Sequence, residues 1–309
     1  MAKKITVKKG QLGLVAKAGD YYRVLEAGEH RLGWFNTDDV LVVSQDGSEV
    51  PDALADYLRR FQPDWMVRYC LAVDLTADEI GVLSNNGVLQ EIVPPSTRRL
   101  YWQQDAALTL QRIDTRDVRV PVDVMNAALQ PRRNGALKGR DAMLVVQVPA
   151  WHVGVVKIDG EIQALLPPGL TAYWKINHLV EAEVVDTRLQ VVEVSGQEIL
   201  TKDKVNLRLN LAANWRYSDV LQACGQLTKP LEHLYRELQF ALREAVGTRT
   251  LDELLEDKQI IDEVVSKQVQ GRLSSFGMEI ASLGVKDIVL PGDMKTILSR
   301  SEERRVGKE

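Results

Sequence analysis

The side chains that could carry out chemistry in this sequence are few and scattered. Glu198 and Asp203 form the best carboxylate pair, because they flank a polar turn and could serve as acid and base in a hydrolytic reaction. The same two residue types are equally typical of a solvated turn in which carboxylates accept hydrogen bonds from backbone amides. No pocket-forming motif accompanies the pair, so the pattern favours the structural interpretation, with hydrolysis kept as an alternative.

Metal and cofactor chemistry find no support in the pattern either. Metal-ligand spacing is absent from the histidines, His30, His152, His178 and His233. Cys70 and Cys224 lie far apart without a CxxC motif, which indicates two free thiols in a reducing compartment. Motifs of zinc proteases, phosphate-binding glycine loops and serine hydrolases are also missing. The sequence therefore predicts no catalytic, cofactor-binding or metal residue, and a protein that is not an enzyme.

Composition excludes several further classes. The 309 residues contain 39 Lys and Arg against 43 Asp and Glu, and 45 % are apolar. The near balance of charge speaks against nucleic acid as a partner, and the apolar content suffices for folded domains. The longest uncharged stretch, residues 142–156, is too short and too interrupted to span a bilayer, and no export signal is visible. We expect a cytoplasmic chain without a transmembrane segment or signal peptide.

The elements that position these residues begin with three similar segments. Their first strands read Leu12-Gly13-Leu14-Val15, Ile80-Gly81-Val82-Leu83 and Val153-Gly154-Val155-Val156. A tryptophan follows each of these glycines by 20 or 21 residues, as Trp34, Trp102 and Trp174. Short apolar runs that end at Gly and Pro predict a small antiparallel β unit in each segment. We interpret the tryptophans as core or strand-edge residues, with ligand stacking as the alternative.

The sequence between and after these segments changes period. Apolar residues recur at helical spacing in Pro51–Phe61, whereas the polar run 131–135 is typical of a linker or mobile loop. From Val205 apolar and polar residues alternate, which predicts a strand with one buried face. A short helix is expected after a cap at Ser218.

Two amphipathic helices and a closing strand are predicted for the remainder. The first begins at Pro230, and its charged face carries Phe240, which suggests a contact beyond the subunit. The second opens with a capping box at Thr250-Leu251-Asp252-Glu253 and is expected to run to Gly277. Lys258 falls within its apolar stripe, so we expect this side chain to snorkel or to pair across an interface. A strand over 278–290 follows.

Several short motifs follow one another in residues 142–299. They are Pro167-Pro168-Gly169-Leu170, Val185-Asp186-Thr187-Arg188, the turn from Gly196 to Asp203, Val246-Gly247-Thr248 and Val285-Lys286-Asp287-Ile288. With these motifs the chain resembles the SPFH superfamily of stomatins, prohibitins and flotillins, also called Band 7, and its stomatin or slipin branch in particular. In this sequence the family signature turn contains Gln197, Glu198, Thr201 and Asp203.

The expected fold class is therefore α+β, with three tandem antiparallel β units, the third merging into an SPFH domain with strands and two amphipathic helices. The predicted boundaries are 1–66 and 67–141 for the first two units and 142–299 for the SPFH domain, divided into 142–190 and 191–299. Residues 300–309 resemble a translated sequencing adapter, so we expect the native C-terminal helix to be missing.

The resemblance implies a non-enzymatic bacterial scaffold that assembles side by side into homo-oligomers. Phe240 and Lys258, singled out above by their positions on the predicted helices, are the candidate oligomer contacts. It further implies a position peripheral to the membrane, where the scaffold organises membrane proteins or regulates a channel or a membrane serine protease. The alternative is a soluble β-repeat module that binds a peptide or another ligand.

Overall fold

The computed structural model describes residues 2–33, 37–292, 300 and 303. Trp34 and most of the segment 300–309 lie outside the described residues, so the predictions made for them are not tested by the structure. The chain forms two compact units, Met1–Val146 with Leu170–Val180, and Gln147–Gly169 with Glu181–Glu309. Helices and strands are mixed throughout the described residues, which is compatible with the predicted α+β class.

The first segment contains five strands and two helices. These are β1 (Lys3–Val7), β2 (Gln11–Lys17), β3 (Asp20–Leu25), β4 (Gly28–Leu32), β5 (Asp39–Ser44), α1 (Asp52–Phe61) and α2 (Pro63–Tyr69). Strand β1 pairs with β4, and β3, β2 and β5 form a second sheet in that order. The helix expected over Pro51–Phe61 is confirmed by α1, whereas α2 was not expected, because Pro63 resembles a turn residue although proline is also favoured in a first helical turn.

The second and third segments repeat this pairing scheme. The second consists of β6 (Cys70–Asp74), β7 (Glu79–Asn85), β8 (Val88–Val93), β9 (Arg98–Trp102), β10 (Leu108–Asp114) and α3 (Val122–Leu129). The third consists of β11 (Met143–Val148), β12 (His152–Ile158), β13 (Glu161–Leu166), β14 (Gly169–Trp174) and β15 (Val180–Asp186). In each, the first and fourth strands pair, and the second strand lies between the third and fifth.

The strand register is also shared. The glycine near the start of each central strand lies opposite an apolar residue, in the pairs Gly13 with Leu25, Gly81 with Val93 and Gly154 with Leu166. A register shift follows two residues beyond each glycine, after Val15, Leu83 and Val156. A Cβ atom at Gly81 would lie 2.7 Å from Leu110, and one at Gly154 would lie 2.9 Å from Val148. The repeated glycine is therefore required by the close approach of neighbouring side chains.

Within the first unit, each three-stranded sheet shares a core with the strand pair of the following segment. The core around α1 combines β2, β6 and β9 through Leu12, Leu14, Leu54, Leu58, Cys70, Leu100 and Trp102. The core around α3 combines β7, β11 and β14 through Ile80, Val82, Val124, Met125, Met143, Ala172 and Trp174. Both described tryptophans of the repeated pattern are thus core residues.

The second unit adds a larger sheet covered by helices. Its further elements are β16 (Gln190–Leu200), β17 (Asn206–Tyr217), α4 (Val220–Gln226), α5 (Pro230–Gly247), α6 (Leu251–Glu256), α7 (Ile260–Leu273) and β18 (Met278–Val289). The antiparallel sheet has the order β16-β17-β18. The alternation predicted from Val205 is confirmed, because Leu207, Leu209 and Leu211 are buried against the helices.

Three sequence predictions need correction here. The helix expected from Thr250 to Gly277 is interrupted at residues 257–259, so two helices, α6 and α7, and a 3-10 turn at Ser274–Phe276 replace it. Lys258 lies in the turn between α6 and α7 and is exposed. It therefore occupies no helical stripe and does not need to snorkel. The side chain that caps α4 belongs to Asp219, whose Oδ1 accepts from the amide of Gln222 at 3.0 Å, and not to Ser218.

Candidate functional site: the signature turn and the surfaces around it

The signature turn connects β16 to β17 and is built around a buried threonine. The amide of Val205 donates to Thr201 Oγ1 at 3.0 Å, and the Thr201 amide donates to the Val205 carbonyl at 2.9 Å. The Thr201 hydroxyl in turn donates to Asp203 Oδ1. Such local bonds between side chain and backbone close a tight turn without help from the sheet.

The turn is fastened to the junction between α5 and α6. The amide of Lys202 donates to the Arg249 carbonyl at 2.8 Å, and the Leu251 amide donates to Asp203 Oδ1 at 3.1 Å. The Thr201 hydroxyl is the main cause of a lowered pKa at Asp203, and the Leu251 amide adds to it. Asp203 thus accepts two hydrogen bonds that position the turn, and its geometry indicates a structural role.

Gln197 and Glu198 have different surroundings from Asp203. Gly196, with φ at +62°, lies in a bulge of β16, where its amide donates to Asn210 Oδ1 at 2.7 Å. Gln197 Oε1 accepts from Gln239 Nε2 of α5 at 2.9 Å, so the bulge is tied to the helix. Glu198 is exposed and lies opposite Arg208 on β17. The structure therefore joins Gln197, Thr201 and Asp203 to the helices, while Glu198 remains on the surface.

Helix α5 presents an exposed aromatic side chain. Phe240 is 50 % exposed and lies on the side of the helix that also carries Arg236 and Arg243, which are both exposed. The exposed position of Phe240 agrees with the helical pattern that singled out this residue, and its role in an oligomer stays a prediction.

The capping box at Thr250 and Glu253 is confirmed at the start of α6.

The outer strand β18 is partly protected by α7. Asp262 Oδ1 accepts from the Val285 amide at 2.9 Å, and Gln270 Oε1 accepts from the Ile280 amide at 3.2 Å. Both acceptors lie on α7, and they occupy backbone donors that a partner strand would need. Addition of a strand to β18 is therefore disfavoured at these two positions.

A second exposed aromatic residue, which the sequence pattern did not single out, lies between β11 and β12. Trp151 is 71 % exposed, with φ at +65°, a conformation that is costly for a large side chain. The Thr187 amide and hydroxyl both donate to the Trp151 carbonyl, at 3.0 and 2.6 Å. Residues held in sparsely populated backbone conformations are concentrated at functional positions.

The Thr187 turn is stabilised by a neighbouring ion pair. Asp186 Oδ2 lies 2.7 Å from Arg188 Nη2, and this contact holds the pKa of Asp186 well below its usual range. His152 Nε2 lies 3.7 Å from the same carboxylate.

The Asp-Thr-Arg sequence at 186–188 recurs at Asp114-Thr115-Arg116 with the same geometry. The Thr115 amide and hydroxyl both donate to the carbonyl of Asp78, at 2.8 and 2.9 Å. Arg116 lowers the pKa of Asp114 to about 2. A sequence mark used for the family resemblance is therefore present twice.

Within the described ranges, no helix combines the length and the apolar character needed to cross a bilayer. Nor do the described residues bring three or more His, Cys, Asp or Glu side chains into an arrangement that could hold a metal ion.

Comparison with known proteins gives one family. The sequence model of the SPFH domain / Band 7 family matches residues 146–309. A stomatin homologue of Pyrococcus horikoshii is 28 % identical over 156 residues, which cover 50 % of this chain and 58 % of that protein. Stomatin-3 of Caenorhabditis elegans is 28 % identical over 176 residues, which cover 53 % of this chain and 66 % of that protein. The chain thus spans less than two thirds of the length of these relatives.

Proposed function

Because the chain belongs to the SPFH domain / Band 7 family, we propose that it is a stomatin-like, non-enzymatic scaffold that assembles side by side with its own copies at a membrane surface. The observation that carries this proposal is the family match across the whole α-helical part of the second unit, where Phe240 lies exposed. The hydrogen-bonded, structural role of Asp203 supports the non-enzymatic interpretation. Organisation of membrane proteins, or regulation of a channel or a membrane serine protease, belongs to the same proposal.

The three β segments are, in this proposal, copies of one unit. Their strand pairing, glycine register and bulge position agree, and the Asp-Thr-Arg turn occurs in the second and third.

Phe240 supplies the assembly contact. Half of a phenylalanine side chain is about 100 Å² of surface, and its burial is worth about 2.5 kcal/mol, or about seventyfold in a dissociation constant. A closed ring contains one such contact at every interface, so a modest loss per contact disassembles the ring cooperatively.

Assembly is tested by mass photometry of the 309-residue chain, in solution and on vesicles, with Phe240→Glu as the variant. Val122→Glu is the matched control, because Val122 is also an exposed apolar residue, at 66 %, but lies in the first unit. We expect large assemblies for the wild type and the control and small species for Phe240→Glu. A wild type that stays monomeric under both conditions would refute assembly through residues 1–309, and intact Phe240→Glu assemblies would refute this contact.

Trp151 supplies the membrane contact in the proposal. Tryptophan is favoured at the boundary between water and lipid, because its ring is apolar and its indole N–H is polar. Trp151→Ser should reduce cosedimentation with vesicles, whereas Val191→Ser, at a residue that is 72 % exposed, should not. Equal cosedimentation of the two variants would contradict this assignment.

A further inference from the structure

A cavity of about 690 Å³ lies in the first unit, between the β7–β8 hairpin and the chain that follows α3. Its walls come from residues 85–90 of the hairpin and from residues 127–138. The second wall includes the polar run 131–135, for which the sequence predicted a linker or mobile loop. Instead, this run closes one side of a pocket.

The corresponding place in the first segment is filled. Helices α1 and α3 follow Pro51 and Pro121, and their buried residues agree at an offset of seventy positions, as Leu54 and Leu58 correspond to Val124 and Ala128. At this offset Tyr57 corresponds to Ala127, which lines the cavity.

Tyr57 closes the gap in the first segment. Its hydroxyl accepts from the Tyr21 amide at 2.9 Å, and the two rings lie 5.4 Å apart. Gln62 Nε2 donates to the Tyr21 carbonyl at 3.0 Å on the same side. The second segment has Leu89 and Ala127 where the first has Tyr21 and Tyr57, so it lacks both rings. Leu89 and Ala127 both line the cavity, so it lies at the positions that correspond to the two tyrosines.

The cavity is also positively charged. None of its described lining residues is acidic, and Arg132, Arg133 and Lys138 contribute to its walls. Lys138 Nζ is already paired with Glu91 at 3.4 Å and Glu49 at 3.7 Å. The described carboxylates, by contrast, form no ion pair with Arg132 or Arg133. Arg132 Nε is buried without a hydrogen-bond partner, a situation that costs free energy unless an acceptor arrives.

The loop that carries these arginines is held in place. Leu137 is buried in the core around α3, and the Ile92 amide donates to the Lys138 carbonyl at 2.9 Å. Gly139 has φ at +83°, and a Cβ atom there would lie 2.0 Å from the Ile92 carbonyl oxygen. The arginines are thus displayed from an anchored loop.

We propose that this cavity binds a phosphate ester, with Arg132 and Arg133 contacting the phosphate oxygens and Val88, Leu89 and Leu137 contacting the organic part. Guanidinium groups match phosphate because two parallel N–H donors meet two oxygens. The ester could be a soluble metabolite or a phospholipid headgroup, since both present the same chemistry. This site lies outside the region that matches the family and is independent of the scaffold proposal.

The test measures binding to the full 309-residue chain. The probes are sn-glycerol 3-phosphate, followed by calorimetry, and vesicles of phosphatidylglycerol in phosphatidylcholine, followed by cosedimentation of chains that also carry Trp151→Ser, so that the proposed Trp151 contact does not contribute. Arg132→Gln/Arg133→Gln removes the charge, and Ala127→Tyr restores the ring that fills the first segment. Arg23→Gln/Arg31→Gln is the control, because it removes two exposed arginines of the first segment.

We expect saturable binding of at least one probe, weakened about tenfold or more by Arg132→Gln/Arg133→Gln and abolished by Ala127→Tyr, with no change in the control. Binding of glycerol phosphate assigns the site to soluble esters, whereas binding of vesicles alone assigns it to a headgroup. Absence of saturable binding by both probes, or equal weakening by the control, would overturn the proposal. Circular dichroism of each variant establishes that a loss of binding is not a loss of fold.

Discussion

Replacement of Arg99 by methionine is expected to destabilise the first unit, because Arg99 neutralises a carboxylate that is almost fully buried. Glu91 is 3 % exposed, and its Oε2 lies 3.2 Å from Arg99 Nη1. The Tyr101 hydroxyl donates to Glu91 Oε1 at 2.8 Å, and Lys138 Nζ lies 3.4 Å from Oε2. Arg99 also contacts Glu49 at 3.1 Å, so it joins β9 to residues on both sides.

The size of the effect follows from what remains around Glu91. Removal of one partner from a buried ion pair typically costs 3–5 kcal/mol, because the other charge is left uncompensated. Tyr101 and Lys138 still contact Glu91 in the variant, so we expect a loss near the lower end of that range. A loss of about 3 kcal/mol raises the equilibrium constant for unfolding about 150-fold.

Urea unfolding, followed by tryptophan fluorescence and circular dichroism, measures this loss. Arg98→Met is the matched control, since Arg98 is on the same strand and lies 3.4 Å from Asp74, but its side chain is 71 % exposed. Exposed pairs of this kind contribute at most about 1 kcal/mol. Addition of Glu91→Gln to Arg99→Met should recover part of the lost stability. Equal losses for Arg98→Met and Arg99→Met would refute the argument from burial.

Two further predictions concern protonation. Asp203→Asn keeps an oxygen that accepts both hydrogen bonds but removes the charge. Because the folded pKa of Asp203 is lowered, the wild type should be more stable than the variant above about pH 5, and this advantage should disappear as the pH falls through the folded pKa. Chemical denaturation at several pH values measures it, and a difference independent of pH would contradict the assignment. Burial raises the pKa of Cys70 from 9.0 to about 12, so iodoacetamide at pH 8 should alkylate it about a thousandfold more slowly than in the urea-unfolded chain. Mass spectrometry of the labelled peptide measures this ratio, and native and unfolded rates within tenfold of each other would contradict the buried position.

Local signals in the sequence predicted the second unit well. Helix α5 begins at Pro230 as expected, and the capping box at Thr250 and Glu253 marks the start of α6. These two features depend only on residues that lie within four positions of each other along the chain, so the sequence alone is enough to predict them. The break at residues 257–259 was missed because apolar residues continue at helical spacing across it, and only the packed structure shows that α7 starts anew at Ile260.

The candidate sites depended more on tertiary structure. Phe240 could be singled out because a single helix carries both the aromatic ring and the charges around it. Trp151 could not, since what distinguishes it is a backbone conformation that the sequence does not reveal and hydrogen bonds from Thr187, which lies 36 residues away in sequence. The cavity of the second segment was equally hidden, because its two walls, residues 85–90 and 127–138, are far apart in sequence and meet only in the folded chain.

The three β segments can also be compared by what covers the apolar face of each three-stranded sheet. In the first unit, the open side of each three-stranded sheet is covered by the helix that follows it and by the next strand pair. In the third segment, Val155 and Val185 pack instead against Val220 of α4. A helix of the SPFH domain thus covers the face that would otherwise receive a further segment, because an exposed apolar face of this kind would be costly in water. The sheet of the third segment therefore buries its apolar face against a helix of the second unit, as the sheets of the first two segments bury theirs against α1 and α3.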